Sequence, residues 1–286
     1  MPTPQYCRLD RDLSSCLFCD AKGLSRHFAH TILGKYPASY ELCDTCHSLQ
    51  ISKVAWLEES YSPLGFHADT GSVQRSIACA LFLRAMSRTG LLPRHASVLD
   101  FGAGSGLLVR LLRDFGLDAH GYDRYTRPLD CEGFITERLD RIAPHSLNLI
   151  TIIEVLEHLP EPLETLQSLA PLLTTGGKIL LRSEWFDDRK HGPDWEYITP
   201  EHGQHINFPS LLGMRRLACR LGFTGVPLPF GFFLFQQPDQ GRPFFRSHAL
   251  RLAAGWAIGH ARAVGLCNFK HAMRDKHQQV DAHPQD

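Results

Sequence analysis

The stretch Val98-Leu99-Asp100-Phe101-Gly102-Ala103-Gly104-Ser105-Gly106 decides the fold. An apolar strand runs into a loop with glycine at every second position. A helix follows, with Leu107, Leu108, Leu111, Leu112 and Phe115 on one face. Missing side chains let a ligand approach the loop backbone, and the first helical turn offers unpaired N–H groups. The next segment, Asp118-Ala119-His120-Gly121-Tyr122-Asp123, reads as a second strand ending in an acid. A carboxylate there suits the paired hydroxyls of a ribose. Together these elements describe a nucleoside site at the carboxyl edge of a parallel sheet.

The spacing narrows the nucleoside. Dinucleotide folds use G-x-G-x-x-G, which seats a pyrophosphate at the helix start. Here the pattern is Asp-x-Gly-x-Gly-x-Gly, and an acid at the mouth disfavours pyrophosphate and suits a cationic ligand. The loop resembles the first motif of class I S-adenosylmethionine-dependent methyltransferases. The resemblance continues in Ile153-Glu154-Val155-Leu156-Glu157-His158-Leu159 and in Leu172-Leu173-Thr174-Thr175-Gly176-Gly177-Lys178-Ile179-Leu180, similar to that family's fourth-strand segment and its turn into the fifth strand. It implies that Asp100, Gly102, Ala103, Gly104 and Gly106 surround the methionine part of S-adenosylmethionine. Asp123 then takes the ribose hydroxyls, and Glu154 borders cofactor and substrate. Asn148 departs from the acid usual early in the fourth strand, a change that bears on packing more than on chemistry.

Working outward, strands are expected at about 97–101, 119–123, 133–136, 148–154 and 178–183, with helices between them. One helix carries Leu163, Leu166, Ala170 and Leu173 on a face; others span about 72–89, ended by Gly90 and Pro93, and 210–221. Such alternation means a parallel sheet with right-handed crossovers. Late strands at about 223–228 and 232–236 supply an antiparallel edge. The expected fold is α/β: a Rossmann-like seven-stranded methyltransferase sheet with helices on both faces, a small zinc-ribbon-like module before it and a helix after it. The boundaries fall at 1–66, 67–240 and 241–286. The last helix, about 246–264, is followed by a polar, disordered tail.

Four of nine cysteines fall as Cys16-x-x-Cys19 and Cys43-x-x-Cys46. Two such pairs fit a four-thiolate, tetrahedral zinc site, whereas a redox pair needs only one. His27, His30 and His47 lie near enough in sequence to replace a ligand, but an all-cysteine set is simpler. Residues 1–60 have few long apolar segments and are not expected to fold on burial alone; structural zinc supplies the missing stability. Tyr40 and Leu42 alternate before the second pair like a hairpin strand. Cys79 and Cys219 are expected as small core residues on helices.

Formal net charge is zero, so no global field gathers nucleic acid or an acidic membrane. The amino terminus lacks the apolar core of a signal peptide, and no apolar run approaches the ~20 residues that span a bilayer. A cytoplasmic location is expected. Zinc ribbons joined to methyltransferases also occur in RNA-modifying enzymes, but residues 1–66 hold six Lys and Arg against seven Asp and Glu, a poor grip on RNA. Residues 242–286 hold seven basic and three acidic side chains and leave a modest nucleic-acid or acidic-partner contact open. A non-catalytic protein that binds S-adenosylmethionine is a third reading. The favoured partner is a small-molecule methyl acceptor.

Methyl transfer from a sulfonium is an in-line displacement in which the protein aligns the acceptor and excludes water. A hydroxyl or carbon acid also needs a base. The candidates sit in Trp195-Glu196-Tyr197-Ile198-Thr199-Pro200-Glu201-His202-Gly203-Gln204-His205-Ile206-Asn207-Phe208. The chain resembles bacterial methyltransferases acting on sugars and natural products. Some of these, the sugar C-methyltransferases, carry a four-cysteine module and an acid-histidine pair before a Phe-Ser near this place. The resemblance implies that His205, after Gln204 and before Phe208 and Ser210, is the base. Glu201-His202 offers the acid-histidine pair itself, shifted by three. Tyr61 corresponds to their pocket tyrosine. His158 is read as a packed histidine at a helix start or as a second candidate.

Overall fold

A computed structural model of the 286-residue chain describes residues 14–51, 53–61, 70–125, 131 and 133–238. The described chain opens on a hairpin of β1 (Leu24–Ile32) and β2 (Tyr36–Cys43), with Leu24 opposite Cys43 and Ile32 opposite Tyr36. The alternation at Tyr40 and Leu42 therefore belongs to a strand, as expected. β3 (Leu49–Ile51) pairs with β2, and the short α1 (Leu57–Ser60) and long α2 (Thr70–Arg88) follow.

The main sheet is then built by alternation. β4 (Ser97–Phe101), α3 (Leu107–Asp114), β5 (Asp118–Tyr122), β6 (Ile135–Thr136), β7 (Leu147–Ile153), α4 (Pro162–Leu169) and β8 (Leu173–Arg182) come in turn. They are followed by β9 (Asn207–Phe208), α5 (Leu211–Arg220), β10 (Thr224–Pro227) and β11 (Phe232–Gln236). Seven strands stand in the order β10-β11-β8-β7-β4-β5-β6. The five from β8 to β6 are parallel, and β11 and β10 form the expected antiparallel edge. Strand order reverses between β4 and β7, which opens a crevice at their carboxyl ends.

Both faces of the sheet are covered. Leu99, Ile150, Ile152, Ile179 and Leu181 pack on one side with Leu166 and Leu169 of α4 and Met214, Leu217 and Ala218 of α5. Val98, Leu149, Leu180 and Leu234 pack on the other with Phe82, Leu83 and Met86 of α2 and Leu108 and Leu112 of α3. Asn148 accepts the Ser97 N–H at 3.0 Å, tying β7 to β4.

Two expected placements are corrected, the burial of Cys219 and the helical position of Leu173. Cys79 is fully buried on α2, but Cys219 is exposed, because α5 turns Met214, Leu217 and Ala218 inward and their phase carries residue 219 to solvent. Leu173 opens β8 instead of extending the face of α4; Pro171 precedes it, and a proline ring ends the helical ladder. The expected helix at 246–264 and the tail lie outside the described residues.

The amino-terminal module shares its core with the rest of the chain. β3 pairs antiparallel with β9, Leu49 opposite Phe208 and Gln50 opposite Asn207. Ile32, Tyr40, Leu49, Ile51 and Trp56 form one cluster with Phe186, Ile198, Ile206 and Phe208. Each such buried side chain contributes roughly 1.5–3 kcal/mol, so apolar surface that residues 1–60 lack comes from Phe186, Ile198, Ile206 and Phe208. Among the described residues no helix is long and apolar enough to cross a membrane.

Candidate active site

The crevice between β4 and β7 holds a cavity of about 410 Å³. Phe101, Gly102 and Gly104 line it from the end of β4, Tyr122, Asp123, Arg124 and Tyr125 from the end of β5, and Glu154 and Val155 from the end of β7. Leu57, Glu58, Tyr61, His158, Leu159, Pro160 and Gln204 close the opposite wall. The rings of Tyr61 and Tyr125 stack at 5.2 Å.

The loop fits close approach. Gly102 has φ +80°, and a Cβ there meets Val155 Cγ2 at 2.4 Å. Gly104 has φ +55°, and its missing Cβ points into open space within the cavity wall. Asp123 is buried; its Oδ2 accepts the Gly104 N–H and its Oδ1 the Tyr125 N–H, both at 2.8 Å. Asp123 lines the cavity, where its carboxylate is an acceptor that a ligand hydroxyl can reach. Gly104 and Asp123 thus stand together at the cavity as the sequence implies. Asp100, Ala103 and Gly106 do not line it. Asp100 is buried behind the loop, accepts the Thr151 hydroxyl at 2.7 Å, and is pushed up to about 6 by burial. Ala103 and Gly106 are buried, and Gly106 starts α3 in the left-handed region.

Glu154, also in the left-handed region at φ 52°, turns its carboxylate beneath the cavity to Arg182. Burial and then the charge of Glu157 push Glu154 up to about 7, with Arg182 opposing. The hydroxyl of Tyr197 lies 2.5 Å from Glu157 Oε1 and 3.1 Å from Glu154 Oε2, one proton between two acids. Ser183 donates to Glu157 at 3.1 Å. Burial, followed by both acids, drives the Tyr197 phenol well above its usual range.

The candidate bases separate by position. His158 faces the cavity, and its Nδ1 lies 3.0 Å from the Gln204 carbonyl. The His205 ring stands beside it, 4.9 Å away, with Nδ1 on the Tyr197 carbonyl. Burial lowers each of these histidines to about 4, so both are neutral at pH 7. Glu201 and His202 meet each other at 3.8 Å, but their side chains are 63% and 64% exposed and neither lines the cavity. Ser210 caps α5, accepting the Gly213 N–H, and Phe208 is fully buried in β9. Glu157, Tyr197, Ser183 and Arg182 were not singled out from the sequence; Glu157 lies inside a quoted motif, but nothing local marks its side chain as buried.

Cys16, Cys19, Cys43 and Cys46 offer four sulfurs within 4.8 Å of one another. Cys16 and Cys46 Sγ stand 3.5 Å apart, Cys19 and Cys43 Sγ 3.6 Å. Tetrahedral Zn–S bonds of ~2.3 Å require sulfurs about 3.8 Å apart, so the set fits the ion with small shifts. The contact between Cys16 and Cys46 lowers Cys46 and raises Cys16. His47 and His30 are turned elsewhere, to Asp188 and to the Pro193 carbonyl.

A family model described as a methyltransferase domain matches residues 73–228. Among curated proteins, the ubiquinone biosynthesis O-methyltransferase of Vibrio cholerae serotype O1 is 31% identical over 96 residues, 29% of this chain and 39% of the relative. That of Nitrosospira multiformis is 29% identical over 109 residues, 32% and 46% of the two chains. The chain thus spans less than half the length of these relatives. A crystal structure of the plantazolicin methyltransferase BamL, in complex with a triazolic desmethylPZN analog and SAH, aligns at TM-score 0.50 and 15% identity over 74% of this chain and 84% of that one. At that identity it speaks for the fold alone.

Proposed function

This chain belongs to the methyltransferase-domain family, and on that premise we propose that it transfers a methyl group from S-adenosylmethionine to a hydroxyl of a small molecule. The observation that carries this reading is the cavity itself: Gly102, Gly104 and Asp123, from two adjacent strand ends, share it with His158, Tyr61 and Gln204. The bound cofactor supplies a sulfonium methyl, an electrophile that needs no activation. Asp123 holds the ribose. The bare loop at Gly102–Gly104 admits the methionine portion, with Asp100 bracing it from behind and Glu154 bounding the floor. Tyr61 and Leu57, brought in by the amino-terminal module, wall the acceptor and keep water from it.

An oxygen acceptor is favoured because the curated relatives are named O-methyltransferases. The sequence motifs favour a sugar, a nucleotide-sugar or a natural-product intermediate within that class. The base is drawn from the neutral histidine pair, with His205, expected from sequence, directly behind His158. Cys16, Cys19, Cys43 and Cys46 hold a structural zinc that fixes the module and hence the wall. The aromatic residues of the module, Tyr40 and Trp56, are buried against the chain's own 186–208 segment, which supports a role as wall and not as an RNA-gripping ribbon. The proposal is tested by incubating the purified chain with methyl-labelled S-adenosylmethionine and fractionated metabolites, then locating label by mass spectrometry. A labelled small molecule is expected. Label appearing only in RNA, or in nothing while the cofactor binds, overturns it.

A further inference from the structure

Two fully buried polar side chains, Ser48 just before β3 and Gln50 within it, reach one cysteine pair each. Gln50 grips the first pair. Its Oε1 accepts the Leu17 N–H at 3.0 Å and its Nε2 donates to the Ser15 carbonyl at 3.4 Å, on either side of Cys16. Ser48 stands at the second pair, with Oγ 3.3 Å from Cys46 Sγ. The same oxygen accepts the Ser210 N–H at 3.0 Å. Ser210 donates its hydroxyl to the Cys46 carbonyl and caps α5 by accepting the Gly213 N–H at 2.9 Å. Toward the other end of α5, Arg220 donates to the Leu17 carbonyl at 2.7 Å. The helix thus bears on both cysteine pairs, while Met214, Leu217 and Ala218 pack it into the sheet core. Gly213 makes room for the contact, because a Cβ there would lie 2.0 Å from Ser48 Oγ.

From this placement we propose that Ser48 is a positioning residue of the metal site: its hydroxyl donates to the zinc-bound Cys46 thiolate and, through Ser210, makes the start of α5 depend on the metal. The inference rests on the structural-zinc reading above. A thiol at Cys46 donates to Ser48, whose own proton then points to Ser210 Oγ, 3.4 Å away. A zinc-bound thiolate carries no proton and only accepts. Ser48 Oγ already takes the Ser210 N–H, so its own proton is free to turn to the sulfur. Four thiolates outweigh the charge of one zinc ion, and a buried excess of negative charge is costly without donors. A hydroxyl that orients a ligand from outside the metal's own shell meets that need. The consequence reaches the cavity. Gln204 lines it, Ile206 and Phe208 pack in the module's core, and this stretch runs directly into Ser210. A metal that fixes Ser210 fixes where the acceptor wall ends.

The test uses the full chain and three metals. Zinc affinity is measured by competition with a chromophoric chelator, and the cobalt(II) form is followed by its thiolate-to-metal charge-transfer band. Ser48→Ala should weaken zinc about tenfold or more, the usual cost of losing a partner that orients a ligand. It should also move the charge-transfer band to longer wavelength, because a sulfur that has lost a hydrogen-bond donor gives up an electron more easily. A merely structural role does not move that band. Gly213→Ala gives an independent sign. Alanine favours a helix, so a role confined to α5 predicts zinc held as well or better, whereas crowding of Ser48 predicts weaker zinc and the same band shift. This variant decides the matter if Ser48→Ala does not fold. In the unmodified chain loaded with 113Cd, the Ser48 hydroxyl proton should show coupling to the metal through the hydrogen bond. Zinc removal should speed amide exchange at Ser210 and Gly213 and leave the amides of β4 protected. Affinity and band unchanged in both variants, a Ser48 hydroxyl proton uncoupled from cadmium, or exchange at Ser210 and Gly213 indifferent to zinc overturns the proposal. An unmodified chain that binds no zinc sinks the four-thiolate reading instead.

Discussion

Trp56 donates its indole N–H to the backbone carbonyl of Gly203 at 2.7 Å, joining residues 147 apart in sequence. Both ends are buried. One residue on, Gln204 Nε2 donates to the Ser60 carbonyl at 2.8 Å. These two bonds hold α1 and Tyr61 against the segment that carries His205, so the module and the acceptor wall are one mechanical piece.

Trp56→Phe removes the indole donor and strands the Gly203 carbonyl. The loss should be about 1–3 kcal/mol, the cost of leaving a buried acceptor unpaired. Urea unfolding of both proteins, followed by circular dichroism, checks it; unchanged midpoints mean the bond carries no weight.

Zinc should be present at about one ion per chain, by the four-thiolate geometry. Cys43→Ser should lose it and expose residues 14–60 to protease, followed by mass spectrometry of limited digests. Phe186, Ile206 and Phe208 share the module's core and should loosen with it, while the sheet, packed on α2 and α3 by a core of its own, should stay folded.

Asp123→Ala removes the proposed ribose acceptor and, with it, the carboxylate that orders the Gly104 and Tyr125 amides. Calorimetric affinity for S-adenosylhomocysteine should fall tenfold or more, about 1.4 kcal/mol. Asp100→Ala should weaken it comparably by loosening the loop from behind. Unchanged affinity in both variants contradicts the cofactor site.

Asp100 gives a pH dependence of defined sign. Its folded-state value is raised to about 6 by burial, above the model-peptide value of 3.8. Between these limits the folded chain holds a proton that the unfolded chain has released, so this residue's contribution to stability falls as pH rises from about 4 through 6. Glu154, raised to about 7, pulls the same way. Asp100→Asn keeps an acceptor for Thr151 without the charge. It should be more stable than the parent at pH 7.5, by roughly 1–3 kcal/mol, with the gain shrinking toward pH 4. Denaturation at both pH values is the check, and a gain that grows at low pH refutes the sign.

His202→Ala should leave turnover within about twofold, because an exposed side chain outside the cavity holds no fixed place against a substrate. Steady-state kinetics with the identified acceptor decides it. An inactive His202→Ala makes Glu201-His202 the working pair.

The sequence by itself determined the elements whose signals are local. The Asp100–Gly106 loop, the β4-to-β8 alternation and the antiparallel edge are written in residues that are neighbours along the chain, where glycine freedom and apolar period act directly. The two cysteine pairs were legible for the same reason, since ligand spacing within each pair is local. The placements of Cys219 and Leu173 depended on helix phase and helix ending, and one residue of error turns a side chain from core to solvent or from helix to strand. Tertiary structure alone decided the rest. β9 is two residues long, and nothing in Asn207-Phe208 shows that its partner is Leu49-Gln50. Glu157 reads as an ordinary acid in a short turn. Only the packing of β8 and the 197–205 segment over it removes its water and gathers Ser183, Tyr197, His158 and His205 around its carboxyl group. Burial and electrostatic coupling are properties of the assembled layers, and no local stretch of sequence carries them.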